Sequence, residues 1–279
     1  MEWRGRQGSR NVEDRRRMGS GGAGSIGLVG MLAVLAFGYF FGIDISPLVS
    51  ETSQPSGQPR ELTAEEQKMG DFAGVILRET ETVFGQAVPA ATGKAYADPQ
   101  MVLYSGVTQS GCGGASAQMG PFYCPMDQKI YLDTDFFKVM DQRMGAGGDL
   151  AAAYVIAHEV GHHVQNQLGI LPKITQMRQR ASQEDSNYLS VLTELQADCF
   201  AGMWARSSTQ DLKITRNDIA EAMNAAAAVG DDALMQSAGR AVVEDSFTHG
   251  SSADRQKWFM RGYEGGQLSA CNTFADAGL

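Results

Sequence analysis

The sequence predicts a mainly helical α+β domain carrying a small sheet early in its course, preceded by one apolar N-terminal helix that spans a membrane. Three observations predict it. From residue 62 onward apolar residues recur mostly at the three- and four-residue spacing of amphipathic helices. Between residues 101 and 132 the pattern changes to short runs rich in β-branched and aromatic residues, broken by turn signals. And Ser25 to Ile43 holds 19 successive residues without a charge, enough to cross a bilayer as a helix.

The chain of 279 residues is 43% hydrophobic and 20% charged, which suits one sizeable domain with attachments. Its net charge of −9 is uneven. Arg4, Arg6, Arg10, Arg15, Arg16 and Arg17 outnumber Glu2, Glu13 and Asp14 at the start, so the body is more acidic than the total. An acidic body argues against nucleic acid as a partner, because binding phosphates needs a basic face. Arginines ahead of an apolar span put the N-terminus in the cytoplasm and the body in the periplasm or outside the cell. A cleaved signal peptide is the competing reading, but Asp44-Ile45-Ser46-Pro47 makes a poor cleavage site. The organisation expected is a basic disordered segment over 1–24, a transmembrane helix over 25–43, a Ser/Pro/Gly/Gln-rich linker over 44–61, and one domain over 62–279.

The domain opens on the capping box Thr63-Ala64-Glu65-Glu66, followed by Met69, Phe72, Val75, Ile76 and Val83 at helical spacing. A strand is expected near 101–107. Two more, Phe122–Cys124 and Lys129–Leu132, flank a turn at 125–128. Asp133 or Thr134 can cap a short helix through Phe136 to Met140. Asp149 is the expected N-cap of the next helix, which Gly169 and Pro172 stop. Further helices are expected from Ala181 to Arg206, from Thr215 with Asp218 as its capping partner to Val229, and from Ser251 or Ser252 through Trp258, Phe259 and Tyr263.

The helix from Asp149 carries His158-Glu159-Val160-Gly161-His162. Positions i and i+4 share a helical face, so His158 and His162 can offer imidazole nitrogens to one metal ion. Glu159 stands about 100° round the helix, where its carboxylate can reach a metal-activated water without becoming a ligand. Two ligands and one base is the arrangement of zinc peptidases. The polar residues that follow, Gln165, Asn166 and Gln167, place any such chemistry outside a bilayer. A third ligand is best sought on the next helix. Glu194 and Asp198, an i, i+4 pair about three dozen residues past His158, can supply one carboxylate to the metal and another to the free ring N–H of a ligand histidine. Glu184 and Asp185 are the rival carboxylates, better explained as favourable charges at a helix start. His163 points away from the ligand face and reads as structural or supporting. His249 is a candidate hydrogen-bond donor to an oxyanion, with Tyr154 and Tyr123 behind it.

These stretches resemble the neutral zinc metallopeptidase family of bacterial membrane-anchored proteins. The likeness runs through Met119–Pro125, Asp127–Asp133, Ala153–Gly169, Glu194–Gly202 and Thr248–Gly262, together with the arginine-rich start and single apolar span. It implies a zincin-like, gluzincin-type peptidase domain with one Zn2+ per chain, His158, His162 and Glu194 as ligands, and Glu159 as catalytic base. It says little about substrate. Four cysteines in a part placed outside the cytoplasm can form disulfides. Of the three pairings open on paper, Cys112 with Cys124, across a Gly/Ser-rich loop, leaves Cys199 with Cys271. Extended substrates of such peptidases add to a sheet edge, for which the strand of Gly120, Pro121, Phe122 and Tyr123 and the strand Lys129–Leu132 are the candidates. A peptide or protein substrate is the partner expected, and nothing in the sequence sets an oligomeric state. A membrane-tethered metal-binding or chaperone-like module and a zinc hydrolase of non-peptide amides stay open as alternatives.

Overall fold

The computed structural model describes residues 1–17, 60–116 and 119–279. Its largest hydrophobic core forms where the helices pack over one face of a four-stranded sheet. The sheet runs β1 (Val12–Asp14), β2 (Gln100–Tyr104), β6 (Lys129–Asp133), β5 (Phe122–Cys124) from edge to edge. Its β1–β2 and β2–β6 pairs are parallel and its β5–β6 pair is antiparallel. A separate hairpin joins β3 (Val107–Ser110) to β4 (Gly113–Ser116), whose second strand lies in the Gly/Ser-rich stretch after Cys112 expected to be a loop.

Helix α1 (Ala64–Thr92) starts on the expected Thr63/Glu66 capping box and ends at Gly93 in the left-handed conformation. After α2 (Asp135–Met144), α3 (Asp149–Gln167) carries the histidine motif. Gly148, not Asp149, is the α3 N-cap, since φ is 124° there and the Asp149 carboxylate accepts from the Trp3 indole at 2.9 Å instead. Gly169 stops α3 with φ 77°, and a short α4 (Ile170–Arg178) follows with Pro172 in its first turn, where no helical N–H is needed. Helix α5 (Gln183–Ser207) is capped by Ser182 and α6 (Arg216–Ala228) by the Thr215/Asp218 box. Helix α7 (Asp231–Ser237) is short, α8 (Ser252–Gly265) is capped by Ser251, and α9 (Thr273–Asp276) ends the chain.

Helices α3, α5 and α8 touch through glycines. A Cβ on Gly161 would sit 3.1 Å from the Ala197 backbone. One on Gly202 would overlap the Phe259 carbonyl oxygen, and one on Gly262 would overlap that of Cys199. Backbone-to-backbone approach at these three glycines, across the α3/α5 and α5/α8 crossings, fixes the relative position of the helices that bear the histidines, Glu194 and Arg255. The Cys199–Cys271 disulfide ties α5 to the C-terminal turn, and Cys112–Cys124 ties the hairpin tip to β5, both as expected.

The N-terminal organisation is corrected. No helix among the described residues is long and apolar enough to cross a membrane, and the expected span over 25–43 lies outside the described residues. Residues 1–17 are not a detached disordered segment. β1 forms a ladder with β2, the Trp3 side chain is buried against Phe72, and Met1's amino group pairs with Asp218 at 2.7 Å. Arg16, also buried, reaches Asp14 and the Glu66 carbonyl over the space left by Gly70. Two strands in one hydrogen-bonded ladder lie on the same side of any bilayer. The single-pass placement, with the N-terminus in the cytoplasm and the domain outside, is therefore overturned. Several of the arginines that suggested it are used inside the fold, pairing with Asp14, Glu13 and Glu79.

If the N-terminal segment is part of the folded domain, Trp3→Ala in the full chain should cost about 3–5 kcal/mol in denaturant unfolding, the usual cost of losing a buried tryptophan. A change within about 0.5 kcal/mol, typical of an exposed position, would mean the segment is not docked.

Candidate metal centre

One turn of α3 brings His158 and His162 to the same face, with ring centroids 4.8 Å apart and planes at 89°. Helix α5 crosses at Gly161 and presents Glu194 opposite them. The Glu194 carboxylate lies 3.1 Å from His158 Nε2 and 3.4 Å from His162 Nε2. Among the described residues these three form a group whose ligand atoms all fall within 4.8 Å of one another. Glu184 and Asp185 stand in the first turn of α5, where Asp185 serves the Ser182 cap.

Each ligand histidine has its other nitrogen engaged. His158 Nδ1 is 2.8 Å from Asp198 Oδ1, one turn beyond Glu194 on α5. His162 Nδ1 is 2.8 Å from the Gln165 side-chain oxygen. Both rings are thereby turned so that Nε2 faces Glu194, the orientation that a metal ligand needs. Asp198 is fully buried and accepts in addition from Tyr154 Oη at 2.5 Å and from Arg255 Nε and Nη2 at 2.8 and 3.0 Å. Arg255 also donates to the Val229 carbonyl at 3.1 Å.

A profile of the "Putative neutral zinc metallopeptidase" family matches residues 1–274. The chain belongs to this family. It is 47% identical to the YpfJ protein of Escherichia coli K12, over 98% of this chain and 99% of that one. It is also 47% identical to the Rv2575 protein of Mycobacterium tuberculosis, over 66% of this chain and 65% of that one. Neither name carries an activity. No solved structure matches the chain.

The family implies zinc, and the donor set fits it. Two imidazole nitrogens and a carboxylate are the ligand types of three-residue catalytic zinc sites, and one ligand atom from each residue lies within 4.8 Å of the others. Electrostatics point the same way. Burial opposes a charged His158 ring, but Asp198 and Glu194 outweigh it and lift its pKa to about 10. Burial likewise opposes a charged His162, and Glu194 raises it nonetheless. Burial works against an ionised Glu194, yet the two imidazoles hold its pKa well below the usual carboxylate range. Such a site stabilises positive charge, supplied by protons when no cation is bound. Glu159 differs: burial raises its pKa, and its carboxylate takes no hydrogen bond or ion pair among the described residues, although it is only 7% exposed.

The remaining candidates divide. His249 sits in the loop before α8 with its side chain half exposed, and its Nδ1 lies 3.1 Å from Asp231 Oδ1. Asp231 Oδ2 is itself fixed by the backbone N–H groups of Thr248, His249 and Gly250. Burial lowers the His249 pKa, but Asp231 and then Glu194 raise it overall. Tyr154 and Tyr123 are not free donors. Tyr154 is spent on Asp198, and Tyr123 Oη accepts from Asn166 at 3.0 Å and lies 3.2 Å from His163 Nδ1. His163 is structural: its Nε2 reaches the Ala97 carbonyl at 2.8 Å, and burial lowers its pKa. Phe122 and Tyr123 lie on β5, an end strand of the sheet packed beside α3, with Gly120 and Pro121 leading into it.

Arg255, Asp231 and Gln165 were not singled out from the sequence. Gln165 carried a faint signal, a polar residue three positions after His162 on a helix that is otherwise largely buried. Arg255 and Asp231 carried none, since each reads as an ordinary charge in the first turn of a helix.

Because His158 holds a proton up to about pH 10 when no cation is present, zinc binding at neutral pH must displace it. Titration calorimetry in buffers of different ionisation enthalpy should show proton release, with apparent affinity climbing as pH rises. A binding heat independent of buffer would contradict this charge assignment.

Proposed function

We propose that the chain is a zinc-dependent peptidase, and more specifically an endopeptidase, with one zinc held by His158, His162 and Glu194. Glu159 carries the reading. A carboxylate this buried, beside two imidazoles and a carboxylate that can hold a metal, and with no hydrogen bond or ion pair among the described residues, supports a task in chemistry over one in the fold. It is placed to handle a proton.

Zinc at these three ligands supplies Lewis-acid polarisation of a peptide carbonyl and lowers the pKa of a water toward neutrality. The protein's own groups do the rest. Glu159 takes the proton of the attacking water and passes it to the leaving amine, a double role that suits a carboxyl whose pKa burial has raised. His249, oriented through Nδ1 by Asp231, offers its other ring nitrogen to the oxyanion that forms at the attacked carbonyl. The free side of β5, led by Gly120 and Pro121 and continued by Phe122 and Tyr123, receives an extended peptide by strand addition, which aligns a main chain without demanding particular side chains.

Glu159→Gln should retain zinc and lose peptide cleavage by about 10²–10⁴-fold, the usual contribution of a positioned general base. The measurement is cleavage of a broad peptide library by the purified full chain, with zinc content assayed in parallel. A zinc-loaded wild type that cleaves nothing, or a Glu159→Gln variant as active as wild type, would sink the proposal.

A further inference from the structure

The two ligand histidines are held differently, and the difference leads away from the metal. Asp198 takes the His158 ring with a full charge. His162 is held by a neutral amide, Gln165, which is fully buried on α3. An amide presents either its oxygen or its NH2 to a ring, and only the oxygen can accept an N–H. The neighbours decide which. Gln165 Nε2 is 2.7 Å from the Thr193 carbonyl, which can only accept, so the NH2 must face Thr193 and the oxygen must face His162. The same NH2 lies 3.2 Å from Gln196 Oε1. Gln196, also buried, is oriented in its turn by the Cys271 carbonyl, which accepts from its Nε2 at 2.8 Å. The donors therefore run one way, from His162 Nδ1–H to Gln165, from Gln165 to Gln196, and from Gln196 to Cys271. The last carbonyl belongs to a residue disulfide-bonded to Cys199, on the same helix as Gln196.

We propose that Gln165 and Gln196 are positioning residues for the proposed zinc peptidase, a relay that fixes His162 with its proton on Nδ1 and Nε2 free for the metal. This rests on the zinc-site reading above. It explains why two glutamines are buried between α3 and α5: leaving a buried amide unpaired is expensive, and here every polar atom of the pair that the relay needs has a partner. It also leaves the centre with one charged and one neutral support behind its two ligand rings.

The test is zinc titration against a competing chelator, together with proton NMR of the ring N–H groups in the zinc-loaded full chain. Wild type should show two slowly exchanging ring N–H resonances from the ligand histidines, one protected by Asp198 and one by Gln165. Gln165→Met should weaken zinc binding about 10–100-fold, the usual effect of losing a support to a metal ligand. It should also abolish one of those resonances while leaving the other in place. Gln196→Met should do less, because the Thr193 carbonyl still orients Gln165. Should Gln165→Met fold poorly through its stranded partner, the double variant Gln165→Met/Gln196→Met removes donor and acceptor together and carries the same expectation. Zinc affinity within two-fold of wild type with both resonances retained, in Gln165→Met or, where that variant does not fold, in the double variant, would overturn the proposal. A wild type that binds zinc with both resonances but cleaves no peptide would overturn the peptidase reading and leave the relay standing.

Discussion

The Asp198 carboxylate is the constraint on which the centre depends. It is wholly buried, and an ionised carboxylate taken out of water is tolerated only when donors surround it. Tyr154 and His158 come from α3 and Arg255 from α8, and all three converge on a side chain of α5. None of the three helices can shift relative to the others without exposing or stranding a charge. The glycines at their crossings make that convergence geometrically accessible, because Gly161, Gly202 and Gly262 each let a neighbouring backbone come closer than any side chain would permit. Packing and electrostatics thus specify the same arrangement from two directions. Removing Arg255 alone would leave a buried uncompensated charge, the costly way to break such a network.

From that anchor the charge pattern of the centre follows. Asp198 and Glu194 place two negative charges within reach of two imidazoles, and the site compensates by holding cationic charge. Arg255 faces Asp198 and offsets part of its charge. Glu159 lies outside this pairing scheme. Its neighbours are committed to one another, so its carboxylate remains available for water.

Much of the centre was legible in the sequence, for a specific reason. His158, Glu159 and His162 sit within five residues of one helix, and helical geometry alone dictates which side chains share a face. Glu194 and Asp198 could be read the same way once a second helix was expected. The helix starts at Thr63, Ser251 and Thr215 were legible because capping is local chemistry. The supports contributed by Arg255, Asp231 and Gln165 were less so, because their partners lie across the fold and no short-range rule connects position 255 to position 198. The β3–β4 hairpin was hidden by a Gly/Ser-rich composition that mimics a loop. The N-terminus misled for a related reason. Arginines ahead of an apolar run are read as a topology signal, whereas Arg16, Trp3 and β1 take their meaning from contacts with residues far along the chain. A ladder between residues 12–14 and 101–103 has no signature in either segment alone.

The position of a bound zinc ion decides the ligand assignment. A crystal structure of the zinc-loaded full chain, with anomalous scattering measured at the zinc edge, tests it most directly. One peak is expected about 2.0–2.2 Å from His158 Nε2, His162 Nε2 and a Glu194 carboxylate oxygen, with Glu159 unbound beside it. A peak ligated by His163 or His249, or one that recruits Glu159 as a ligand, would contradict it.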